Sequence, residues 1–352
     1  MNKFVCICAG GTGGHINAAL SLGEYFQARD LEPFFYTGTR YLDYQLFKHV
    51  SDRTLHLEAK PLRGKNLLIT LKNALVNAFV LMTVIFKFLS RRPAAVIGAG
   101  GYVCGPALLA AKTLGIKTYI IEQNAVAGLT NKLLSKISDK IFVNFKNTRG
   151  IGRDDKVIVS GNPIRSNISY RPIEPKEPYR VLIFGGSLGA KQINEVIEKL
   201  VGREWDTRLS VVHQVGKGNL KDFPVSPQVN YTQEEYLDNM DEMYRWAHIV
   251  ISRSGASTVS ELREAKRPCI LIPFPFATDN HQELNAQELK NENMFYVKIA
   301  NQGLDSIEME AEIRSSVREI IGKNLFYPFK ECATLNSCKI IYEEVMGDVR
   351  NK

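Results

Sequence analysis

The strongest constraint on the fold is a pair of glycine-rich loops of one build, Gly10-Gly11-Thr12-Gly13-Gly14-His15 and Gly185-Gly186-Ser187-Leu188-Gly189-Ala190, set 175 residues apart in a chain of 352. Each follows a short apolar run, residues 4–8 and 181–184, and precedes apolar residues at helical spacing, over 16–26 and 193–200. A strand that feeds a helix through such a loop aims bare backbone N–H groups and the positive end of the helix dipole at one point. Glycine lets that backbone approach a ligand closely, so each junction suits a phosphate or diphosphate. Two such junctions predict two similar halves with a cleft between them.

A dinucleotide-binding oxidoreductase shares this layout, but its spelling is absent. A G-x-G-x-x-G run starting at Gly11 needs glycine where Ile16 stands, and the second strand, residues 33–36, enters Thr37-Gly38-Thr39 without a carboxylate for ribose. An ordinary strand-to-helix turn in a nucleotide-free protein explains one such loop. It explains less well two loops and a third glycine pair at Gly100-Gly101.

Strand-like runs at 95–97, 118–121, 140–143 and 157–159 alternate with helical patterns, and the rhythm returns at 209–212, 249–252 and 269–272. That alternation predicts an α/β chain of two Rossmann-like, doubly wound domains. We place the domains at 1–163 and 164–329, with the proline-rich stretch 170–178 as linker. A last apolar helix over 332–345 has no strand after it and is expected to pack back on the first domain, as part of residues 330–352.

The apolar fraction of 45% and charged fraction of 23% are those of a soluble globular protein. The net charge of +8 favours anionic partners, but no run of five Lys or Arg occurs, so nucleic acid is not expected. Six cysteines without metal spacing read as buried thiols of a reducing cytosol, and residues 4–8 are too short for a signal-peptide core. His49, His56, His213, His248 and His281 are separated in sequence and suggest no metal site.

One segment breaks the pattern. Residues 74–89 are apolar except for Asn77, Thr83 and Lys87, with Lys72 before them and Arg91-Arg92 after. As a helix they reach about 24 Å, short of the roughly 30 Å of a hydrocarbon core, so a span is not expected. Two readings stay open: a helix buried in the first domain, or an exposed one lying in the bilayer interface with Arg63, Lys65, Lys72 and the trailing arginines on anionic lipid.

Seven motifs in order carry a resemblance over nearly the whole chain. They are residues 10–15; Gly100-Gly101-Tyr102-Val103-Cys104-Gly105-Pro106; Glu122-Gln123-Asn124 with 127–132; Gly161-Asn162-Pro163-Ile164-Arg165; 185–190; 252–261; and Asp279, His281-Gln282 and Asn285-Ala286. In this combination the chain resembles the MurG family of bacterial glycosyltransferases. The resemblance implies the GT-B fold, two Rossmann-like domains facing across a cleft, with acceptor on the first and UDP-N-acetylglucosamine mainly on the second. It implies inverting transfer of N-acetylglucosamine to the C4 hydroxyl of undecaprenyl-pyrophosphoryl-MurNAc-pentapeptide in peptidoglycan synthesis. Its partners would be these two substrates, an anionic membrane surface at the cytoplasmic face of the inner membrane, where it sits peripherally, and other cell-wall synthesis proteins. No cofactor and no protein-bound metal are implied.

Carried over by motif, Glu261 holds the ribose hydroxyls, since a carboxylate accepts two hydrogen bonds from a vicinal diol. Ser187 and the backbone of Ala256, Ser257, Thr258, Val259 and Ser260 receive the diphosphate, and Arg165 adds a guanidinium fork suited to phosphate oxygens. Leu237 contacts uracil through backbone groups; Asn124 and Gln282 read sugar hydroxyl and acetamido groups. Thr12, Gly13 and Gly14 complete the donor set, and Gly101, Tyr102 and Asn131 contact the acceptor. His15, at a helix N-terminus that disfavours a second positive charge, is either the general base for the attacking hydroxyl or a hydrogen-bond donor to the acceptor diphosphate.

Four positions depart from the family pattern: Ala18 for proline, Cys104 for serine, Ile121 for histidine and Leu188 for glutamine. The last two are expected to remove polar groups near the cleft. Two other functions share the features: a UDP-sugar-dependent diacylglycerol glycosyltransferase, disfavoured by Tyr102, Asn124 and Asn131, and a non-catalytic sugar-nucleotide-binding subunit, disfavoured by both half-sites lying on one chain.

Overall fold

A computed structural model describes residues 4–61, 67–152, 154–186, 188–301, 303–330 and 336–350. The chain divides into two compact units, residues 1–165 with 335–352, and 166–334. In the first, β1 (Phe4–Cys8), β2 (Glu32–Thr37), β3 (Thr54–His56), β4 (Ala95–Gly98), β5 (Lys117–Glu122), β6 (Lys140–Val143) and β7 (Val157–Val159) form a parallel sheet in the order β3-β2-β1-β4-β5-β6-β7. In the second, β8 (Tyr179–Phe184), β9 (Leu209–Gln214), β10 (Val229–Glu234), β11 (Ile249–Ser252), β12 (Cys269–Leu271) and β13 (Val297–Ile299) are parallel in the order β10-β9-β8-β11-β12-β13. Both are Rossmann-type sheets, and each reverses its winding beside its first strand, between β1 and β4 and between β8 and β11. Ligands of open α/β sheets bind at the carboxyl ends of strands at that reversal.

The first unit carries α1 (Gly13–Gln27), α2 (Tyr41–Leu46), α3 (Leu67–Ser90), α4 (Cys104–Thr113) and α5 (Leu129–Leu134). The second carries α6 (Lys191–Gly202), α7 (Met240–Trp246), α8 (Ala256–Ala265), α9 (His281–Asn291) and α10 (Ser306–Gly322), and α11 (Ser337–Arg350) returns to the first. Helices on both faces bury every residue of β1, which explains its unbroken apolar run. Its side chains alternate all the same. Val5 and Ile7 enter the core formed with α1 and α11, and Cys6 and Cys8 the core formed with α3 and α4.

The last helix docks through Cys338, Ile341, Val345 and Met346. A polar rim completes the contact, with Tyr119 Oη donating to Asp348 Oδ2 at 2.9 Å and Lys140 Nζ reaching Glu344 at 2.8 Å and Asp348 at 2.9 Å. The helix is shifted towards the C-terminus from the predicted 332–345, and residues 332–335 lie outside the described set. The proline-rich stretch is more than a linker. Buried Arg267 donates through Nη2 to the Arg171 carbonyl at 2.6 Å, and His248 Nε2 to that of Glu174 at 3.0 Å, tying it to the second unit.

The segment expected at residues 74–89 is corrected by the structure. α3 has 24 residues and at the ordinary rise is about 36 Å long, long and apolar enough to cross a membrane. The extra turns come from residues 67–73, whose polar Thr70, Lys72 and Asn73 interrupt the apolar run without interrupting the helix. Its core face is narrow, formed by Val80, Val84 and Phe88. Leu68, Leu71, Leu75, Phe79, Met82, Phe86 and Leu89, spaced three or four apart, form an exposed apolar stripe. A helix buried in the core is therefore excluded. Arg63 and Lys65 lie outside the described residues.

Candidate functional site

At the switch point of the first unit, the loop after β1 and the loop after β4 lie against each other. The Gly10 N–H donates to the Gly100 carbonyl at 3.2 Å, and a Cβ on Gly101, whose φ is +91°, would strike the Gly10 carbonyl oxygen. Thr12 caps α1, its hydroxyl accepting from the His15 N–H at 3.5 Å, and Gly13 and Gly14 form the first turn. His15 Nδ1 lies 3.3 Å from the Gly10 carbonyl. A carbonyl only accepts, so Nδ1 carries a hydrogen, and in the neutral imidazole the lone pair is then on Nε2. The ring rests on Gly100, where a Cβ would stand 2.5 Å from Cδ2.

Asp43 fixes this loop, and no motif announced it. Fully buried, it accepts from the Gly11 N–H at 3.0 Å, the Arg40 N–H at 2.9 Å and the Thr37 hydroxyl at 3.5 Å. The first carboxylate after β2 is thus spent inside the protein, which agrees with the missing ribose contact of a dinucleotide fold. Exposed Arg40 lies over the Tyr102 ring, 5.1 Å from its centroid, and donates to the Gly11 carbonyl at 3.4 Å. Desolvation raises the Tyr102 pKa, against the opposing pull of Arg40.

At the end of β5, Glu122 is buried and accepts four hydrogen bonds, from Asn124 N and Nδ2 at 2.9 and 3.4 Å, Gly128 N at 3.1 Å and Asn131 Nδ2 at 2.9 Å. Asn131 also donates to the Ile121 carbonyl at 3.1 Å, so its amide nitrogen shapes this loop. Its enclosed Oδ1 has no partner among the described residues. Arg165 is half-buried at the end of the first unit.

The second unit builds a comparable junction. Gly186 and Gly189 have φ of +99° and +75°, and the loop packs on Val215 and Gly216 at the end of β9. Ser187 lies outside the described residues, and Leu188 is exposed. Buried Gln214, which sequence reasoning missed, joins two loops: Nε2 donates to the Gly186 carbonyl at 2.8 Å and Oε1 accepts the Leu237 N–H at 2.9 Å. The predicted backbone contact of Leu237 is thereby narrowed, because its N–H is already taken and its carbonyl is the group left for a base.

Three residues separate α8 from β11. Val259 and Ser260 are buried, with the Val259 N–H donating to the Gly255 carbonyl at 2.9 Å and Ser260 Oγ to the Ala256 carbonyl at 2.8 Å, so both of these donors are spent within the helix. Ser257 Oγ is enclosed without a partner among the described residues, in the first turn where backbone N–H groups collect. Thr258 is half-buried beside it. Glu261 Oε2 accepts from Tyr244 Oη at 2.9 Å, which orients the carboxylate. Gln282 Oε1 takes the Phe274 N–H at 2.9 Å, and its carbonyl accepts from Ser254 Oγ at 2.8 Å. Arg253, also missed, is buried and donates to the Ile272 and Pro273 carbonyls at 3.0 Å each; desolvation lowers its pKa to about 10. Among the described residues no group of three or more His, Cys, Asp or Glu is placed to hold a metal ion.

Comparison with known proteins matches both units. Residues 5–143 fit the glycosyltransferase family 28 N-terminal domain and residues 180–326 the family 28 C-terminal domain. A Geobacter sulfurreducens protein named "UDP-N-acetylglucosamine--N-acetylmuramyl-(pentapeptide) pyrophosphoryl-undecaprenol N-acetylglucosamine transferase" is 32% identical, over 98% of this chain and 99% of its own. The chain belongs to glycosyltransferase family 28. A protein of the same name from Pseudoalteromonas translucida is 36% identical over 82% of each chain. The crystal structure of Acinetobacter baumannii MurG superposes with a TM-score of 0.76 at 25% identity, covering 98% of this chain and 99% of that one. The fold is of the GT-B class. A Neisseria meningitidis UDP-GlcNAc 2-epimerase structure, 14% identical with a TM-score of 0.62 over 98% of this chain and all of its own, shares the fold alone.

Two departures from the family 28 pattern now have a place. Ile121 is fully buried in the core with α1 and α11, so it takes no polar group from an exposed surface, contrary to expectation. Cys104 Sγ lies 3.2 Å from both the Cys8 and the Gly100 carbonyl, so its one S–H is shared between backbone acceptors that a serine hydroxyl could also use.

Proposed function

We propose that this glycosyltransferase moves N-acetylglucosamine from UDP-N-acetylglucosamine to the C4 hydroxyl of undecaprenyl-pyrophosphoryl-MurNAc-pentapeptide. The observation that carries the reading is near full-length similarity to transferases bearing that name. In the reaction, the acceptor O4 attacks the anomeric carbon while His15 Nε2 takes the O4 proton. The new O4–C1 bond forms as the C1–phosphate bond breaks, UDP leaves with the electron pair, and the configuration inverts. The His15 tautomer set by the Gly10 carbonyl supports this role, a base of that kind contributing roughly 10²- to 10⁴-fold. The diphosphate is received at the start of α8, where Ser257 Oγ adds a donor. Glu261, oriented by Tyr244, takes the ribose hydroxyls, and the Leu237 carbonyl the uracil.

The enzyme meets its lipid acceptor by laying α3 in the interface of the cytoplasmic leaflet. Its stripe supplies apolar area, and exposed Lys72, Lys87, Arg91 and Arg92 supply attraction to anionic lipid, about 1 kcal/mol each near the surface. Because Val80, Val84 and Phe88 pack in the first unit, the helix lies on the bilayer instead of crossing it.

The reading is tested in a bacterium depleted of its own transferase for this step. Expression of the protein should restore growth and clear the accumulated undecaprenyl-linked monosaccharide intermediate. Continued accumulation with the protein present and folded contradicts it.

A further inference from the structure

The loop between β12 and α9 shows two exposed aromatic rings that the reaction as described does not use. Phe276 is 84% exposed and Phe274 41%, and their rings meet edge to face with centroids 5.7 Å apart. A single exposed aromatic side chain is ordinary. This pair sits on a loop whose backbone is held from several sides. Buried Arg253 bonds the carbonyls of Ile272 and Pro273 and lies 5.4 Å from the Phe274 centroid, while Gln282 Oε1 holds the Phe274 N–H. Asp279 and Asn280 both have a φ of +52°, a left-handed pair of non-glycine residues, and such strain concentrates where a loop must present groups to a ligand.

The same loop is tied to the start of α8. Ser254 Oγ donates to the Gln282 carbonyl at 2.8 Å, and Asn285 Nδ2 to that of Ser254 at 3.2 Å. A sugar is joined to its diphosphate through one oxygen. With the diphosphate on the first turn of α8, the pyranose ring stays close to that turn, and the loop over residues 273–282 is the segment tied to it. That ring offers hydroxyls at its edge, axial C–H groups on its faces and an acetamido methyl. An amide suits the first, and an aromatic ring suits the others.

We propose that Phe276, positioned by Phe274, is the apolar platform on which the transferred N-acetylhexosamine rests, and so a residue that sets donor-sugar affinity. The proposal rests on the donor site described above, and the test separates the two. UDP and UDP-N-acetylglucosamine are titrated calorimetrically into the full chain as wild type, Phe276→Ala and Phe276→Trp. Substitution at so exposed a position leaves the core untouched, and UDP affinity reports an intact site. The expected result is unchanged UDP affinity in all three proteins, with UDP-N-acetylglucosamine bound about three- to tenfold more weakly by Phe276→Ala. Phe276→Trp should restore it, and Phe274→Leu should shift it in the same direction by less. Phe276→Ala binding UDP-N-acetylglucosamine like wild type, or losing the same factor for UDP, overturns the proposal. Wild type that binds neither ligand overturns the donor site itself, and the proposal with it.

Discussion

Replacing Gly100 by alanine tests the first-unit site at its tightest point. An added Cβ meets His15 at 2.5 Å from Cδ2, 2.7 Å from Nε2 and 2.9 Å from Cγ, whereas ordinary contact begins at 3.4 Å. The imidazole must withdraw by about 0.9 Å, the difference between 3.4 and 2.5, and a misplacement near 1 Å costs on the order of 10²-fold in rate. The φ of +116° adds backbone strain, roughly 1–3 kcal/mol at most such sites, so urea unfolding must accompany the kinetics. Gly105→Ala is the control, because nothing lies within 4 Å of its added carbon. Initial rates with donor and a short-chain lipid-linked acceptor should fall about 100-fold in kcat for Gly100→Ala. UDP affinity should stay near wild type, and Gly105→Ala should behave as wild type throughout. A folded Gly100→Ala protein with wild-type kcat would refute the placement of His15 at the reacting hydroxyl.

Glu261→Ala should weaken UDP binding by roughly 1–3 kcal/mol, with Tyr244→Phe in the same direction by less; calorimetric titration with unchanged affinity removes Glu261 from the ribose. Phe79, Met82 and Phe86 are 76%, 49% and 65% exposed, and changing all three to serine should remove roughly 1–2 kcal/mol of apolar transfer each. Co-sedimentation with anionic vesicles should therefore drop while UDP affinity holds, and wild-type binding should weaken with added salt; equal sedimentation of both proteins counts against α3 as the membrane surface. Burial lowers the pKa of His213 to about 4, with Nδ1 hydrogen-bonded to Tyr231 Oη at 2.8 Å. Below the unfolded value near 6.5 the unfolded chain binds the proton and the folded one does not. Stability is thus complete above about pH 6.5 and declines towards pH 4, by about 2 kcal/mol at pH 5 from this residue. Urea midpoints should show that slope flattened in His213→Gln, and an equal slope in the variant excludes His213 as its source.

Strands buried on both faces were legible because they read as short continuous apolar runs, and the residues of β6 and β11 follow directly from the sequence; the partly exposed edge strand β7 was legible because it is spelled Val-Ile-Val. β10 was not, because an edge strand spelled Val-Asn-Tyr-Thr-Gln-Glu is half solvated and mostly polar. β3 and β13, spelled Thr-Leu-His and Val-Lys-Ile, make no continuous apolar run. The glycine loops were legible because positive φ and close backbone approach leave glycine little competition. What holds those loops was not. Asp43, Gln214 and Arg253 are polar residues whose partners are mainly backbone groups far along the chain, and nothing in local spacing marks a buried anchor. α3 was misjudged in extent because Lys72 and Asn73 read as its flank, and its exposure stayed open because an apolar stripe looks the same from sequence whether protein or lipid covers it.

The most direct measurement is transfer of labelled N-acetylglucosamine from UDP to a short-chain undecaprenyl-pyrophosphoryl-MurNAc-pentapeptide analogue, comparing wild type with His15→Ala. Wild type should give one product, a single N-acetylglucosamine β-linked at C4 of the muramyl sugar. His15→Ala should bind UDP normally and make that product about 10²- to 10⁴-fold more slowly. No transfer by a wild-type protein that binds UDP, or a product linked elsewhere on the acceptor, would contradict the account.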